Sequence, residues 1–150
     1  MKNKINLKFL MVIFITVSFI TNLQAGGKKN DKHLVGTWWG SEKDEQIKGV
    51  LVKWIQQRFS DGKLITTFTY VFEDGSEDIS IEKGKWWVKD GKFFEKSDDS
   101  KKPDIYYYEV IDQDHILFKA YKLSNIFENK DYNFIDTRVE NDSLYIQIED

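Results

Sequence analysis

Two histidines and several short acidic runs are the residues of this chain that could perform acid-base or metal chemistry. His115 follows the acidic turn Asp112-Gln113-Asp114, so an aspartate-histidine pair could act as a general base. Such a base also needs a positioned nucleophile, and the sequence has no cysteine and no serine nucleophile elbow. We therefore expect His115 to be a surface turn residue, His33 a solvated linker residue, and the chain not to be an enzyme.

The acidic runs could attract calcium, which prefers carboxylate oxygens. Neither Glu73 to Asp78 nor Asp98-Asp99 has the spacing of an EF-hand loop, so we interpret both as solvated turns. A zinc site is not expected in a chain with two histidines and no cysteine. The sequence predicts no metal and no other cofactor.

The first 25 residues have the organisation of a secretory signal peptide. Lysines at positions 2, 4 and 8 precede an apolar run from Phe9 to Ile20, and Ala25 supplies a small residue at a cleavage position. An uncleaved N-terminal anchor is the alternative. We expect export to the periplasm or the medium, with residues 26–33 as a flexible segment and 34–150 as a single domain.

Charge and composition limit the partners of that domain. The leader holds three lysines and no acid, so its removal changes the formal net charge from −3 to −6. An acidic chain is a poor sequence-independent nucleic-acid binder, because such binding depends on clustered Lys and Arg. Without cysteine, stability must come from burial. We expect a monomer with no nucleic-acid partner, and a protein partner is left open.

The remainder of the chain alternates between short apolar-polar runs and turn signals, which is typical of an all-β fold. We predict an up-and-down antiparallel β-barrel of about eight or nine strands. The candidate strands are residues 34–39, 47–60, 63–73, 76–89, 92–97, 104–112, 115–122, 131–140 and 143–149.

Three Asp-Gly pairs, at 61–62, 74–75 and 90–91, predict two-residue type I′ hairpin turns. The first two turns would place Phe68 opposite both Ile55 and Ile81. The predicted interior face then holds Leu51, Ile55, Phe59, Leu64, Phe68, Tyr70, Phe72, Ile79 and Ile81, together with Lys53, Gln57, Thr66 and Lys83. The predicted outer face holds Val52, Trp54, Gln56, Arg58, Thr67 and Thr69. Beyond Gly84 the alternation is open: Trp87 and Phe94 point inward without a β-bulge, and Trp86 does so with one.

Inward aromatic residues with a few polar neighbours could form a ligand pocket. Lys53 or Gln57 would orient a polar head group. The aromatic wall would consist of Phe68, Tyr70, Tyr106, Tyr108 and Phe118. The alternative is that these rings simply fill a narrow barrel.

Gly36-Thr37-Trp38 on the first strand and Arg138 near the end of the chain resemble the lipocalin-like, or calycin, group of small barrels, including its short bacterial members. The resemblance implies that Trp38 closes one end of the barrel and that Arg138 packs across its ring. Gly36, Trp38 and Arg138 would then serve barrel closure. It also implies non-catalytic binding of a small hydrophobic or amphipathic molecule inside the barrel.

A second hypothesis is an envelope or secreted protein-interaction or inhibitor module with a filled barrel. It depends on a predicted outward row of aromatic residues formed by Trp39, Trp54 and Tyr106-Tyr107-Tyr108.

Overall fold

The computed structural model of the protein describes residues 30–124 and 131–140. A short 3-10 helix, Lys32–Leu34, precedes the strands. The strands are β1 (Gly36–Lys43), β2 (Leu51–Arg58), β3 (Lys63–Val71), β4 (Glu77–Lys89), β5 (Lys92–Ser97), β6 (Asp104–Val110), β7 (His115–Lys122) and β8 (Asn133–Arg138). In these two ranges, no helix is long and apolar enough to span a bilayer.

The eight strands form one closed antiparallel up-and-down barrel in chain order, which confirms the predicted fold class. Closure comes from β1 and β8, where Trp38 pairs with Arg138 and Trp39 with Thr137. The first strand is longer than predicted and ends at Lys43, and the second begins at Leu51 rather than at residue 47. The predicted signal peptide and the predicted strand 143–149 lie outside the described residues.

The turn between β2 and β3 is one residue longer than predicted. Phe59 donates its amide to the carbonyl of Lys63, and Gly62 has a φ of +86°. A three-residue loop therefore pairs Arg58, rather than Phe59, with Leu64. Because side chains alternate along a strand, this one-residue shift reverses the faces of β2. The predicted inward placement of Leu51, Lys53, Ile55, Gln57 and Phe59 is wrong.

The turn between β3 and β4 differs in the same way. Phe72 donates its amide to the carbonyl of Ser76, and Gly75 has a φ of +82°. Ile79 pairs with Thr69 and Ile81 with Thr67, so both isoleucines lie on the outer wall, where they are 63% and 53% exposed. Their predicted inward placement is also wrong, and Phe72 is likewise exposed.

The third turn is a two-residue turn, as predicted. Asp90 and Gly91 both have positive φ, and Lys89 pairs with Lys92. Trp86 points inward and stacks on Phe93, while Trp87 stacks on Phe94 on the outer wall. No bulge at Gly84 is needed for this arrangement, since the β3–β4 register runs through it without a shift.

The apolar core occupies the end of the barrel nearest the 3-10 helix. Trp38, Trp86, Phe93, Phe118, Leu34 and Ile116 are all essentially inaccessible to solvent. Residues 30–33, part of the predicted lead-in, contact this end: the carboxylate of Asp31 accepts a hydrogen bond from the Tyr108 hydroxyl at 2.8 Å. We call this the closed end.

Candidate ligand-binding cavity

A cavity of about 450 Å³ occupies the half of the barrel away from the closed end. Residues from the β1–β2 loop, such as Gln46 and Ile47, and from the β5–β6 loop, such as Asp99 and Ser100, contribute to its rim. The barrel is therefore filled at one end and hollow at the other.

Aromatic side chains form much of the cavity wall. They are Trp54, Phe68, Tyr70, Tyr106, Tyr132 and Phe134. Phe134 makes edge-to-face contacts with Trp54 and Tyr106, at centroid separations of 5.3 and 5.5 Å. The Trp54 ring fits because Gly40 faces it across the β1–β2 pair: a Cβ atom at Gly40 would collide with that ring.

A buried ion pair lies beneath the cavity. The guanidinium of Arg58 contacts the carboxylate of Asp136, and both side chains are almost completely buried. The other carboxylate oxygen of Asp136 accepts a hydrogen bond from the Trp54 indole at 2.8 Å. The Arg58 guanidinium also lies 4.9 Å from the ring centroids of Phe93 and Phe118. These contacts fix Trp54, one wall of the cavity, to the closed end.

Gln56 connects this ion pair to the cavity lining. Its side-chain oxygen accepts from Arg58 Nε at 2.6 Å. Its side-chain nitrogen donates to Thr66 at 3.0 Å and to the carboxylate of Glu95 at 3.1 Å. The floor of the cavity is thus a connected polar network, in a region where unpaired polar groups would be costly. Among its described atoms, Arg58 Nη1 is buried without a hydrogen-bond partner, and its guanidinium lies against the ring faces of Phe93 and Phe118.

Glu95 is the carboxyl group of this network that lines the cavity. Burial raises its pKa to about 7, against the opposing effect of the Arg58 charge, and the nearby Asp104 carboxylate adds to the increase. Asp104 is the cross-strand partner of Glu95. Burial and the negative charge of Glu95 also raise the pKa of Tyr106, which hydrogen-bonds to Glu95. Glu95 therefore changes charge near neutral pH.

More acidic residues line the upper part of the cavity. Burial raises the pKa of Glu42, which hydrogen-bonds to Tyr132 and Gln46. One carboxylate oxygen of Glu42, Oε2, is buried and has no hydrogen-bond partner among the described residues. Glu82 and Asp99 also line the cavity.

The structure places three of the predicted ligand-binding residues, Phe68, Tyr70 and Tyr106, on the cavity wall. Phe118 is fully buried in the apolar core. Tyr108 lies beside it and bonds to Asp31 at the closed end. These last two are inside the barrel, but they do not line the cavity.

The predicted polar anchors, Lys53 and Gln57, lie on the outward-facing side of β2, which corrects their assignment to the interior. Lys53 is exposed and lines a depression on the outer wall, together with Trp39, Ile55 and Arg138. The cause is the longer β2–β3 turn. The polar side chains of β2 that do reach the interior are Gln56 and Arg58, which lie on the face opposite to Lys53 and Gln57.

Gly36, Trp38 and Arg138 meet at the closed end. The Arg138 guanidinium lies 4.1 Å from the Trp38 ring centroid. It also donates hydrogen bonds to the backbone carbonyls of Val35, His33 and Gln113, at 3.1, 3.1 and 2.9 Å. Gly36 has a φ of +135°, and a Cβ atom there would lie 2.5 Å from Arg138 Nη1.

The histidines lie away from the cavity. His115 bonds to Asp112 at 2.9 Å in the β6–β7 turn, and His33 bonds to Asp31 at 2.9 Å at the closed end. In residues 30–124 and 131–140, no group of three or more His, Asp or Glu side chains is arranged to hold a metal ion.

Sequence reasoning missed the cavity residues Trp54, Gln56 and Glu95 and the ion pair of Arg58 with Asp136. Val52, Trp54, Gln56 and Arg58 do alternate along β2, so the correct turn length would have placed them inside. Asp136 alternates with Phe134 in the same manner on β8. No local pattern indicates that Asp136 pairs with Arg58, because the two are 78 residues apart.

The fold is a closed, eight-stranded, antiparallel barrel, and this architecture is compatible with a calycin-like fold. No protein-family model matches the chain, and a search of curated proteins finds no match.

Proposed function

We propose that this chain is an exported, lipocalin-like, non-catalytic binding protein that holds one small apolar or amphipathic molecule in the barrel cavity. The observation that supports this most directly is the cavity of about 450 Å³. It lies in the range of about 300 to 1,000 Å³ typical of small-molecule sites. Aromatic walls above a few fixed polar groups also match the usual composition of such sites.

The absence of catalysis is part of this proposal. The Asp112–His115 pair, the best candidate for a general base, lies in the β6–β7 turn and does not line the cavity. A base must lie within hydrogen-bonding reach of the proton it removes. A ligand in the cavity would be out of its reach. The proposal of export depends on the leader sequence alone.

The alternative, a protein-interaction module with a filled barrel, has less support. Trp54 and Tyr106, which belong to its predicted outward aromatic row, are buried inside the barrel. Trp39 and Tyr107 remain about half exposed, and they lie on different parts of the wall: Trp39 on β1 and Tyr107 on β6.

The proposal is tested with N-phenyl-1-naphthylamine, a neutral dye whose fluorescence rises in apolar surroundings. Val52→Phe adds volume at a buried position of the cavity wall. Thr69→Phe adds volume to the outer depression instead. We expect the wild type and Thr69→Phe to bind the dye, and Val52→Phe to bind it at least about tenfold more weakly.

Circular dichroism and a melting curve establish that each variant is folded before its binding is interpreted. If the folded wild type binds no dye, or if Thr69→Phe loses binding while Val52→Phe keeps it, the proposed function is wrong. The second result would instead favour a site on the outer wall.

A further inference from the structure

The cavity is lined by far more negative than positive groups. Among the residues that the structure describes, its carboxyl groups are Glu42, Glu82, Glu95, Asp99 and Asp104, and the one basic residue in the lining is Lys83. The register of β4 turns the Lys83 side chain to the outer face, opposite Ile65, so its predicted inward placement is wrong. Arg58 favours the ionised form of Glu95 from below the cavity, but Asp136 already counters its charge and it does not belong to the lining.

We propose that the ligand of this cavity is an organic cation, an amphiphile with a protonated amine or quaternary ammonium head and an apolar tail. This inference depends on the proposed function, because it names the chemical class that the same cavity would hold. The carboxylates would bind the head group, and the aromatic wall would hold the rest of the molecule.

The position of the acids relative to the aromatic rings supports a cationic head. Glu95 and Asp104 are cross-strand partners on β5 and β6, and Tyr106 hydrogen-bonds to Glu95. Trp54, Tyr132 and Phe134 line the same cavity. An ammonium group among carboxylates and ring faces gains both ion pairing and cation-π attraction, which strengthens as water is removed.

Glu42 supplies an independent indication. Its Oε2 atom is buried and unpartnered among the described residues, although Tyr132 and Gln46 both hydrogen-bond to this carboxyl group. A buried polar atom without a partner is unfavourable. A protonated amine in the cavity would donate a hydrogen bond to this oxygen, and a quaternary ammonium would counter the carboxylate charge without donating. An anionic head group would add to the repulsion.

The organic character of the cation follows from the aromatic wall. An inorganic cation such as calcium needs six to eight oxygen ligands that converge on one point. The described acids of the cavity do not form such a group, and ring faces offer calcium no ligand atoms.

The test uses decyltrimethylammonium, decanoate and decanol, which share one tail and differ in head-group charge. Each compound is added to the full chain with bound N-phenyl-1-naphthylamine at pH 8, and displacement of the dye is measured. Every amphiphile is kept below its critical micelle concentration, and calcium chloride is tested in the same way. We expect decyltrimethylammonium to compete at least about tenfold more tightly than decanoate, with decanol between them and calcium without effect.

Two variants assign the preference to the cavity. Glu95→Gln and Glu42→Gln keep the size of each side chain and remove its charge, so each should reduce the cation-over-anion preference several-fold while dye binding persists. Glu109→Gln removes the same charge from an exposed position on β6 and should leave the preference unchanged.

The outcomes separate the two claims. If the folded chain does not bind the dye, the proposed function fails. If the dye binds but decanoate competes as tightly as decyltrimethylammonium, the cation inference fails and the binding function stands. Displacement of the dye by calcium chloride would also overturn the inference. So would a loss of preference in Glu109→Gln equal to the loss in Glu95→Gln and Glu42→Gln.

Discussion

Trp38 and Arg138, 100 positions apart in the chain, face each other across the seam between β1 and β8, and the guanidinium lies over the indole at 4.1 Å. The same indole donates a hydrogen bond to the Leu34 carbonyl at 3.0 Å. The contact therefore joins the first strand, the last described strand and the segment that covers the closed end.

Replacing Arg138 with lysine should lower the free energy of unfolding by about 1 to 2 kcal/mol. Lysine keeps the charge, but it lacks the planar fork that reaches several carbonyls while it covers the ring. Chemical denaturation measures the change. Lys119→Ala, an exposed control on β7, should cost less than about 0.5 kcal/mol. Equal stabilities for Arg138→Lys and the wild type would show that the contact is not stabilising.

Gly36→Ala should destabilise the barrel by about 2 kcal/mol or more. The added Cβ atom would meet Arg138 Nη1, and φ at this position is +135°. Gly75→Ala is the matched control, because Gly75 also has a positive φ but nothing lies within 4 Å of its Cβ position. The control should cost about 1 kcal/mol. If thermal melts show the two variants to be equally affected, the close approach at Gly36 contributes nothing beyond backbone strain.

Asp136→Asn should lower the free energy of unfolding by about 3 to 5 kcal/mol, since it leaves the buried Arg58 guanidinium without its counter-charge. Asp61→Asn tests the exposed pair with Lys63 and should change the free energy of unfolding far less, because solvent screens exposed ion pairs. A small effect of Asp136→Asn in urea denaturation would mean that Arg58 has another partner or reaches water.

Glu95 should make stability depend on pH. Its pKa is raised from 4.5 to about 7 in the folded chain, chiefly by burial, with Arg58 opposing and Asp104 and Asp136 adding to the increase. Between these values the unfolded chain ionises while the folded chain stays protonated, so stability falls as pH rises from about 4.5 to about 7. The shift corresponds to about 3 kcal/mol.

Comparison with Glu95→Gln isolates this contribution. The variant should have nearly the stability of the wild type near pH 4.5 and exceed it by up to about 3 kcal/mol at pH 8. Denaturation curves at several pH values measure the difference. A difference that does not change with pH would show that Glu95 ionises normally in the folded protein.

The strands could be predicted from the sequence, because turn residues and the period of two are local signals. Closure is predicted instead from the resemblance carried by Gly36, Trp38 and Arg138. The interior could be predicted only in part, because the same Asp-Gly pair occurs in turns of different length. At Asp90-Gly91 the loop has two residues, whereas at Gly62 and Gly75 it has three. The local sequence does not distinguish these cases.

The two longer turns also explain why the predicted pairings on the two sides of β3 agreed with each other although both were wrong. Each shifts the register by one residue, so Phe68 pairs with Trp54 and Ser80 instead of Ile55 and Ile81. Equal shifts on both sides of β3 leave its own inward residues, Leu64, Phe68 and Tyr70, as predicted. The faces of β2 and β4 are reversed, and with them the polar groups of the cavity.

The most direct test of the hollow barrel is a titration of the ¹⁵N-labelled chain with N-phenyl-1-naphthylamine, followed through the five tryptophan indole signals. Trp54 lines the cavity and donates to Asp136, Trp39 lies in the outer depression, and Trp87 stacks on the outer wall. Ligand in the cavity should shift the Trp54 indole signal in a saturable manner and leave Trp39 and Trp87 nearly unchanged. A shift confined to Trp39, or no saturable shift of Trp54, would contradict binding inside the barrel.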